Sequence, residues 1–243
     1  MLTICTFNIK NNYRDYQSDK ADKIIEFINQ NKIDYLCLQE VFTKCRRDLQ
    51  KNLRGTKYKI YGKYRFSLPI FTPINEAVSI ITKEKVLYNR TYHLPFLPSG
   101  LKRVVTKVVT KTDDLGCVTI LNTHLDYMFD FVKKRQLKKI IKLIETEKNP
   151  VILTGDFNLK INNPIFKEFI KKLNNLGLKR VDIHEKTLKQ SRYNRSIDHI
   201  FIPDDYDVEL LEVIKDLDIS DHYPVLLKVS KNRWLYEKIK KNR

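Results

Sequence analysis

A nine-residue stretch, residues 150–158, constrains the fold of this chain more than any other. Its apolar run lies between Pro150 and Gly155, which predicts a buried strand that ends at a polar edge. Asp156 and Asn158 follow two residues apart, so their side chains leave an extended backbone on the same side. A carboxylate and an amide in this position can hold a metal ion or orient a water molecule. The alternative is an Asx-type turn that closes the strand, since both residue types favour turns.

The first forty residues predict a strand, a helix and a second strand. Residues 2–8 are rich in β-formers, residues 22–31 carry apolar side chains at helical spacing, and residues 35–38 form a short apolar run. Elements of this length favour a right-handed crossover, which places both strand ends at one edge of a sheet. Asn8 and Glu40 come at those ends. Open α/β sheets bind their ligands at such an edge.

The rest of the chain predicts mostly antiparallel β-structure with two further long helices. The predicted strands cover residues 76–82, 86–94, 104–112, 118–122, 151–154, 196–202, 208–213 and 225–227, and the helices cover 131–147 and 165–173. His124 follows one of these strands, Asp198 lies among the apolar residues of another, and Asp221 and His222 precede the last. Each polar candidate thus lies at the margin of a predicted strand.

The formal net charge of +17 is the strongest compositional signal. It favours binding to a polyanion, either nucleic acid or an anionic membrane. Coding bias is the alternative explanation, because Lys, Asn and Ile are all abundant and the basic pairs are scattered along the chain.

The chain of 243 residues contains no linker-like or repetitive segment. We therefore expect one domain, residues 1–230, followed by a basic tail, residues 231–243. No apolar run approaches the roughly 18–20 residues of a membrane span, and no signal peptide is recognisable. These features favour a cytoplasmic monomer without an obligate protein partner. The cysteines form no C-x-x-C pair and are expected to be buried free thiols: Cys5, Cys37, Cys45 and Cys117.

The polar residues at the strand margins offer oxygen atoms and imidazole nitrogens as possible ligands for a metal ion. Hard oxygen ligands without a cysteine suit Mg²⁺ or Mn²⁺ better than zinc. Hydrolysis of a phosphate ester needs a cation on the phosphoryl oxygens, an oriented water and a donor for the developing charge. An Asp beside a His holds the imidazole in one orientation and favours its protonated form. The residues concerned are Asn8, Glu40, His124, Asp156, Asn158, Asp198, Asp221 and His222.

Six short blocks, in order along the chain, carry a family resemblance. They read T-F-N-I at 6–9, L-Q-E-V at 38–41, N-T-H-L at 122–125, G-D-F-N at 155–158, I-D-H-I at 197–200 and S-D-H-Y-P-V at 220–225. Together they resemble the endonuclease/exonuclease/phosphatase superfamily, which includes pancreatic-type deoxyribonucleases, exonuclease III-like AP endonucleases, inositol-polyphosphate phosphatases and neutral sphingomyelinases. The resemblance implies an α/β fold: a four-layered sandwich of two packed, mostly antiparallel sheets flanked by helices, with the site at one end.

The resemblance also implies a metal site and a nucleophile. Glu40 is the principal Mg²⁺ ligand, with Asn8 beside it and Asp221 as a further candidate ligand. Asp156 orients or deprotonates the attacking water. Asn158 helps to hold the water and the phosphate.

A second group of residues is implied to contact the phosphate. His222 stabilises the charge on the scissile phosphate and is oriented by Asp221. His124 and Asp198 flank the phosphate from the opposite side. Arg103, at the start of a predicted strand, is a further candidate for phosphate binding.

Departures from the family pattern narrow the substrate only in part. At the position of Lys10, the AP endonucleases of this superfamily have an acidic residue. Deoxyribonuclease I-like members have a basic residue there, and this chain looks more similar to them. The longer signature of inositol-polyphosphate phosphatases around Asp198 is missing. The expected specificity loops are residues 66–73, 95–102 and 186–195.

Three functional hypotheses remain open on the sequence. The first is an Mg²⁺-dependent nuclease that cuts phosphodiester bonds by in-line attack of water. The second is a phosphatase or sphingomyelinase-like enzyme for a lipid or small phosphoester, with the loops around Phe71 and Phe96 touching membrane or headgroup. The third is a non-catalytic binding protein, against which the complete set of polar site residues argues.

Overall fold

Twelve strands and four helices make up the described part of the chain. The structure is a computed structural model, which describes residues 1–10, 17, 19–64, 76–96, 102–189 and 196–232. The strands are β1 (Leu2–Asn8), β2 (Tyr35–Phe42), β3 (Lys59–Tyr61), β4 (Glu76–Thr82), β5 (Lys85–His93), β6 (Val104–Thr112), β7 (Gly116–His124), β8 (Val151–Asp156), β9 (Leu178–Arg180), β10 (Asp198–Pro203), β11 (Tyr206–Val213) and β12 (Val225–Lys231). The helices are α1 (Lys20–Gln30), α2 (Thr43–Asn52), α3 (Asp130–Glu145) and α4 (Pro164–Asn175).

The strands form two six-stranded sheets. One has the order β11-β12-β1-β2-β4-β3 and the other β5-β6-β7-β8-β10-β9. Among the described strands, the β1–β2 and β7–β8 pairs are parallel and the remaining pairs are antiparallel. The predicted crossover between the first two strands is therefore confirmed.

Three apolar clusters hold the layers together. One fills the space between the sheets, where Ile4 and Leu227 of the first sheet belong to the same cluster as Val108 and Ile120 of the second. Another packs α1 and α2 on the outer face of the first sheet, and the third packs α3 and α4 on the second sheet. This order of helix, sheet, sheet and helix confirms the four-layered sandwich.

The register of the second sheet aligns three of the polar candidates. His124 on β7 lies opposite Asp156 on β8, and Asp156 lies opposite Asp198 on β10. Neighbouring strands are separated by about 4.8 Å, so the three side chains start from adjacent positions in one row. Gly155 permits this pairing, because a Cβ at its position would overlap the carbonyl oxygen of Thr123.

Two buried amides join the sheets beneath this row. Gln39 donates from Nε2 to Asn122 Oδ1 at 2.7 Å. Asn122 in turn donates from Nδ2 to the carbonyl oxygens of Leu38 and Ser79, at 3.0 and 2.9 Å. Hydrogen bonds between buried groups are strong in the low-dielectric interior, while the amide oxygen of Gln39, Oε1, has no partner among the described residues. The bonds thereby hold the two strand edges in one relative position.

The structure differs from the sequence predictions at several points. β2 continues past a bulge between Leu38 and Val41 instead of ending at residue 38. The expectation that all four cysteines are buried is wrong for Cys117, which is exposed because it lies beside the hairpin turn at Gly116. None of the helices in the described ranges has the length and hydrophobicity of a membrane span. Residues 65–75, 97–101, 190–195 and 233–243, which include Phe71 and nearly all of the predicted tail, lie outside the described residues.

His199 on β10 is a fully buried imidazole that packs beside the third apolar cluster. Its ring centre lies 4.5 Å from that of Phe166, and Nε2 donates to the carbonyl oxygen of Leu159 at 2.9 Å. Burial lowers the pKa of His199 to about 4, against the opposing effect of the Leu159 hydrogen bond. The folded protein therefore binds this proton less readily than the unfolded chain does.

Acid is expected to destabilise the protein through His199. Because the folded pKa lies below the unfolded value, stability is lost as the pH falls from about 6.5 towards 4, by about 3 kcal/mol for this group. His199→Gln keeps an amide donor for Leu159 but does not titrate. Urea denaturation at neutral and acidic pH should show a smaller loss of unfolding free energy in the variant than in the wild type. Equal losses in both proteins would contradict this assignment.

Candidate active site

The polar ends of β1, β2, β7, β8 and β10 meet at one edge of the sandwich. Asp156, at the end of β8, is buried at the centre of this group. Its Oδ2 atom accepts a hydrogen bond from Asn8 Nδ2 at 3.0 Å. The Nε2 atoms of His124 and His222 lie 3.7 and 3.8 Å from the same oxygen. One carboxylate oxygen thus faces two imidazoles and an amide.

The environment of Asp156 favours its protonated form more than water does. Burial raises the pKa of Asp156 to about 6, and the negative charge of Asp198 adds to this effect. The charge of His222 and hydrogen bonds from Asn8 and from the backbone of Asn158 oppose it. A carboxylate with a pKa close to neutral pH is suited to accept a proton during a reaction.

His222 is held by Asp198, and not by its neighbour Asp221. His222 Nδ1 lies 2.9 Å from Asp198 Oδ2, whereas Asp221 Oδ2 pairs with Lys10 Nζ at 2.7 Å. The prediction that Asp221 orients the imidazole is therefore wrong. The chain bends over residues 219–221, and His222 then forms a β-bridge with Leu188. The carboxylate of Asp221 is partly exposed and paired with Lys10, and its role as a further metal ligand stays a prediction.

The pair of Asp198 and His222 carries a proton at neutral pH. Burial by itself would lower the pKa of His222, but the charge of Asp198 and its hydrogen bond outweigh burial and raise the pKa to about 10. His222 is then an imidazolium whose Nε2–H faces Asp156. The second oxygen of Asp198, Oδ1, is buried and has no hydrogen-bond partner among the described residues.

His124 is held from behind by Arg103. The guanidinium nitrogen Nη1 lies 2.9 Å from His124 Nδ1. Arginine has only donors, so Nδ1 accepts this bond and the ring proton lies on Nε2, which faces Asp156. Arg103 is buried and also lies 3.9 Å from a carboxylate oxygen of Glu76. The structure therefore places Arg103 behind His124, and Asp198 on the side of His222 instead of opposite to it.

Glu40 lies beside this group at the bulge of β2. Its Oε1 atom accepts a hydrogen bond from Asn8 Nδ2 at 3.1 Å and lies 3.9 Å from His124 Nε2. Its side chain is 25% exposed, so the carboxylate lies close to the opening of the site. Asn8 accordingly connects Glu40 and Asp156 through one amide nitrogen. The amide oxygen of Asn8 accepts from the backbone N–H of Lys10 at 2.9 Å.

The backbone is strained at this edge. Among the described residues, four other than glycine have a positive φ, and Lys10 (34°), Glu40 (56°) and Asn158 (49°) lie at the site. Such conformations cost about 1–3 kcal/mol each and are concentrated at functional sites.

Asn158 forms the turn that was the alternative interpretation of its motif. Its backbone N–H donates to Asp156 Oδ1 at 2.9 Å, and Nδ2 donates to the carbonyl oxygen of Leu125 at 3.1 Å. Asn158 therefore does not continue an extended strand, but it remains attached to the central carboxylate.

Comparisons with known proteins agree with this arrangement. The sequence profile of the Endonuclease/Exonuclease/phosphatase family matches residues 5–222. The chain belongs to this family. Members of the family are phosphoester hydrolases, so the chain is an enzyme of that class. The sequence has no significant match among curated proteins.

Solved structures of the endonuclease/exonuclease/phosphatase fold superpose over nearly the whole chain. A family member from Bacteroides vulgatus is 22% identical, with a TM-score of 0.79 and coverage of 95% of this chain and 98% of that one. A mannosyl-6-phosphatase from Bacteroides thetaiotaomicron is 20% identical, with a TM-score of 0.75 and coverage of 94% and 99%. ANGEL2, a 2',3'-cyclic phosphatase, is 18% identical, with a TM-score of 0.75 and coverage of 95% and 96%. These likenesses establish the fold.

Family enzymes generally depend on a divalent metal, and the residues present fit a hard cation. Asp156, Asp198 and His222 offer ligand atoms within 4.8 Å of one another. His222, however, is protonated and bonded to Asp198, and an imidazolium has no lone pair for a metal. Glu40 offers a partly exposed carboxylate instead. Among the described residues, this carboxylate accepts a hydrogen bond from the amide of Asn8. This carboxylate chemistry matches Mg²⁺ or Mn²⁺.

One positioning residue of this family site was missed in the sequence. Ser220 donates from Oγ to the carbonyl oxygen of Asn8 at 2.6 Å and accepts from the backbone N–H of His222 at 3.1 Å. It ties the segment that carries His222 to the end of β1. Its place directly before the Asp-His pair was the available signal, since Ser side chains commonly bond to the backbone two residues on.

Proposed function

We propose that the protein is an Mg²⁺-dependent nuclease that hydrolyses phosphodiester bonds of nucleic acid by in-line attack of a water molecule. The observation that carries the proposal is the convergence of His124 Nε2 and His222 Nε2 on Asp156 Oδ2, at 3.7 and 3.8 Å. A phosphodiester has two non-bridging oxygens. Two N–H groups on either side of one carboxylate can contact one such oxygen each.

Asp156 is the proposed general base. With a pKa raised to about 6, it is largely ionised at neutral pH and still basic enough to take a proton from water. The amide of Asn8 and the backbone N–H of Asn158 each occupy one of its oxygens and fix its orientation. Asn158 lies next to the base and is proposed to help hold the water and the phosphate.

His222 is the proposed stabiliser of the charge that develops on the phosphate. Its imidazolium is oriented through Nδ1 by Asp198, which leaves the Nε2–H for a phosphoryl oxygen. His124 supplies a second Nε2–H, and Arg103 places a positive charge directly behind that ring. The two imidazoles therefore provide donors from two sides of the base.

Glu40 would hold the cation, with Asn8 orienting its carboxylate. A bound Mg²⁺ supplies positive charge for the phosphoryl oxygens. Mn²⁺ suits the same oxygen donor. Asp221 has no part in this proposal, because Lys10 pairs with its carboxylate.

The net charge of +17 supports nucleic acid as the substrate. Polyanions attract such a protein over long range, and the binding weakens as salt rises. A phosphatase or phosphodiesterase for a sugar, lipid or other small phosphoester is the second candidate. The likeness to a mannosyl-6-phosphatase favours it.

The proposal predicts metal-dependent cleavage of nucleic acid. We expect the purified protein to cut supercoiled plasmid, single-stranded DNA or RNA in Mg²⁺ and to be inactive in EDTA. Glu40→Gln should raise the Mg²⁺ concentration for half-maximal activity about 10- to 100-fold, because a neutral amide replaces the charged ligand. Gel assays over a Mg²⁺ titration measure both effects.

A matched substitution controls for the change in net charge. Glu26→Gln removes the same charge from an exposed position of α1 and should leave the Mg²⁺ dependence unchanged. Inert nucleic acids together with turnover of a phosphomonoester or of sphingomyelin would overturn the nuclease proposal in favour of the second candidate.

A further inference from the structure

Five large apolar side chains are exposed beside the active site. Tyr127, Met128, Phe129 and Phe131 fall within five residues and are 41–58% exposed, and Phe96 is 39% exposed. We call these five residues the apolar rim. Scattered exposed apolar residues are ordinary, but a concentration of this kind marks an interaction surface.

The backbone that carries the rim is fixed by hydrogen bonds. The buried side chain of Asp126 accepts from the N–H groups of Met128 and Phe129 at 2.8 and 3.0 Å. Gln136 on α3 accepts from the N–H of Asp126 and donates to the carbonyl oxygen of Pro95, at 2.9 and 3.0 Å. The bond to Pro95 reaches the residue next to Phe96. Gln136 therefore connects the two parts of the rim, residues 127–131 and Phe96.

The rim begins at the catalytic edge. Tyr127 is three residues from His124, and three residues of chain span at most about 11 Å. Leu125, between them, donates its N–H to the carbonyl oxygen of Asp156 at 2.9 Å. Successive phosphates of one strand rise by about 3.4 Å in a duplex, so the rim lies within a few nucleotides of a phosphate bound at the site.

Positive charge accompanies the exposed rings. Lys102 Nζ lies 5.3 Å from the ring centre of Phe96. The rim also leads into α3, whose exposed face carries Lys134, Arg135, Lys138 and Lys139. Aromatic faces interleaved with cations are the surface that single-stranded nucleic acid binds, because bases stack while the backbone follows the charge.

The ionised side chain of Asp130, between the two Phe rings in the chain, argues against insertion of this segment into a membrane. Phe129 and Phe131 have ring centres 5.6 Å apart and planes inclined by 41°. Asp130 lies between them in the chain, and its hydrogen bonds from Asn163 and Lys133 hold its pKa below the usual range. Immersion of this segment in hydrocarbon would take an ionised carboxylate out of water at high cost.

We infer that the apolar rim stacks on unpaired bases of single-stranded nucleic acid next to the scissile phosphate; the inference rests on the proposed nuclease function. Duplex DNA offers fewer free base faces, since its bases already stack on one another. The rim therefore distinguishes single strands from duplexes.

Paired substitutions separate stacking from apolar contact. Phe129→Leu with Phe131→Leu keeps the rim apolar but removes both rings, whereas Phe129→Trp with Phe131→Trp keeps aromatic faces. We expect the Leu pair to raise the Kd for fluorescein-labelled oligothymidylate in EDTA at least about 10-fold, since one stacked base is worth about 5- to 150-fold. The Trp pair should stay within about 2-fold of the wild type, and duplex affinity should change little. Fluorescence anisotropy measures each Kd.

Two controls keep the result interpretable. Leu176→Ala alters an exposed apolar residue at the far end of α4 and should leave every affinity unchanged. Turnover of bis(p-nitrophenyl) phosphate in Mg²⁺ should stay within about 2-fold of the wild type in the Leu pair, because one small diester does not reach the rim.

Three outcomes would overturn the inference. The first is oligothymidylate affinity that the Leu pair does not change. The second is an equal loss for duplex DNA. The third is binding to phosphatidylglycerol vesicles that weakens in the Leu pair while oligothymidylate affinity stays unchanged, which would assign the two rings to a membrane surface. If the wild type cuts nucleic acid in these cases, the proposed function stands; a wild type that hydrolyses only bis(p-nitrophenyl) phosphate would refute the nuclease proposal and the rim inference together.

Discussion

Asp156→Asn is expected to lower kcat for phosphodiester hydrolysis about 1,000-fold at neutral pH. The amide has the same shape as the carboxylate and still offers an oxygen to Asn8, but it cannot take a proton from water. The N–H groups of His124 and His222 remain in place, but the carboxylate between them can no longer act as a base. Single-turnover cleavage of a labelled oligonucleotide at saturating protein isolates this step from binding.

The pH profile is an independent test of the same assignment. Because the pKa of Asp156 is raised to about 6, kcat/KM of the wild type should fall below this pH as the base becomes protonated. The residual activity of Asp156→Asn should not show this decrease at acidic pH. A loss of less than about 10-fold, or an acid limb that persists in the variant, would assign the base to another group.

The strands and their polar ends could be predicted because their signals are local. β1 and β4 have the predicted bounds, Leu2–Asn8 and Glu76–Thr82, since apolar and β-branched runs between turn residues are contained within a few positions. The start of α4 was predicted to within one residue for the same reason, at residue 165 against Pro164 in the structure. Asn163 accepts hydrogen bonds from the N–H groups of Ile165 and Phe166, as a helix cap does.

The contacts between distant residues could not be predicted from those signals. Sequence adjacency favoured Asp221 as the partner of His222, but the register of β8 with β10 brings Asp198 to that position. Register depends on how whole strands pair, which no single motif encodes. Arg103 is a similar case, because its proximity to His124 results from the pairing of β6 with β7.

The sequence indicated Phe96 but not the other four residues of the apolar rim, for a different reason. Residues 127–129 lie between β7 and α3 and Phe131 lies in the first turn of α3, where apolar side chains are compatible with ordinary packing. Whether Phe129 is buried or exposed depends on the turn that Asp126 imposes on the backbone. Only the three-dimensional arrangement shows that four of these residues face outward.

Asp198→Asn is expected to lower kcat about 100- to 1,000-fold, whereas Asp221→Asn should cost less than about 10-fold. The two substitutions are matched in size and charge and differ in one contact: Asp198 bonds to His222 Nδ1 at 2.9 Å, and Asp221 pairs with Lys10. An amide at position 198 no longer offers the negative charge that keeps His222 protonated. The imidazole then loses its positive charge, although the amide oxygen can still accept a hydrogen bond from Nδ1–H.

The alkaline limb of the rate profile distinguishes this role from a structural one. In the proposed mechanism His222 acts as an imidazolium, so activity should persist below its pKa and be lost as the pH rises through it. Asp198 raises that pKa to about 10 against the effect of burial, and the wild-type limb should therefore lie near pH 10. In Asp198→Asn the limb should move towards neutral pH, while in Asp221→Asn it should move little. If Asp221→Asn instead gives the larger loss and the larger shift, then Asp221 and not Asp198 sets the protonation of His222.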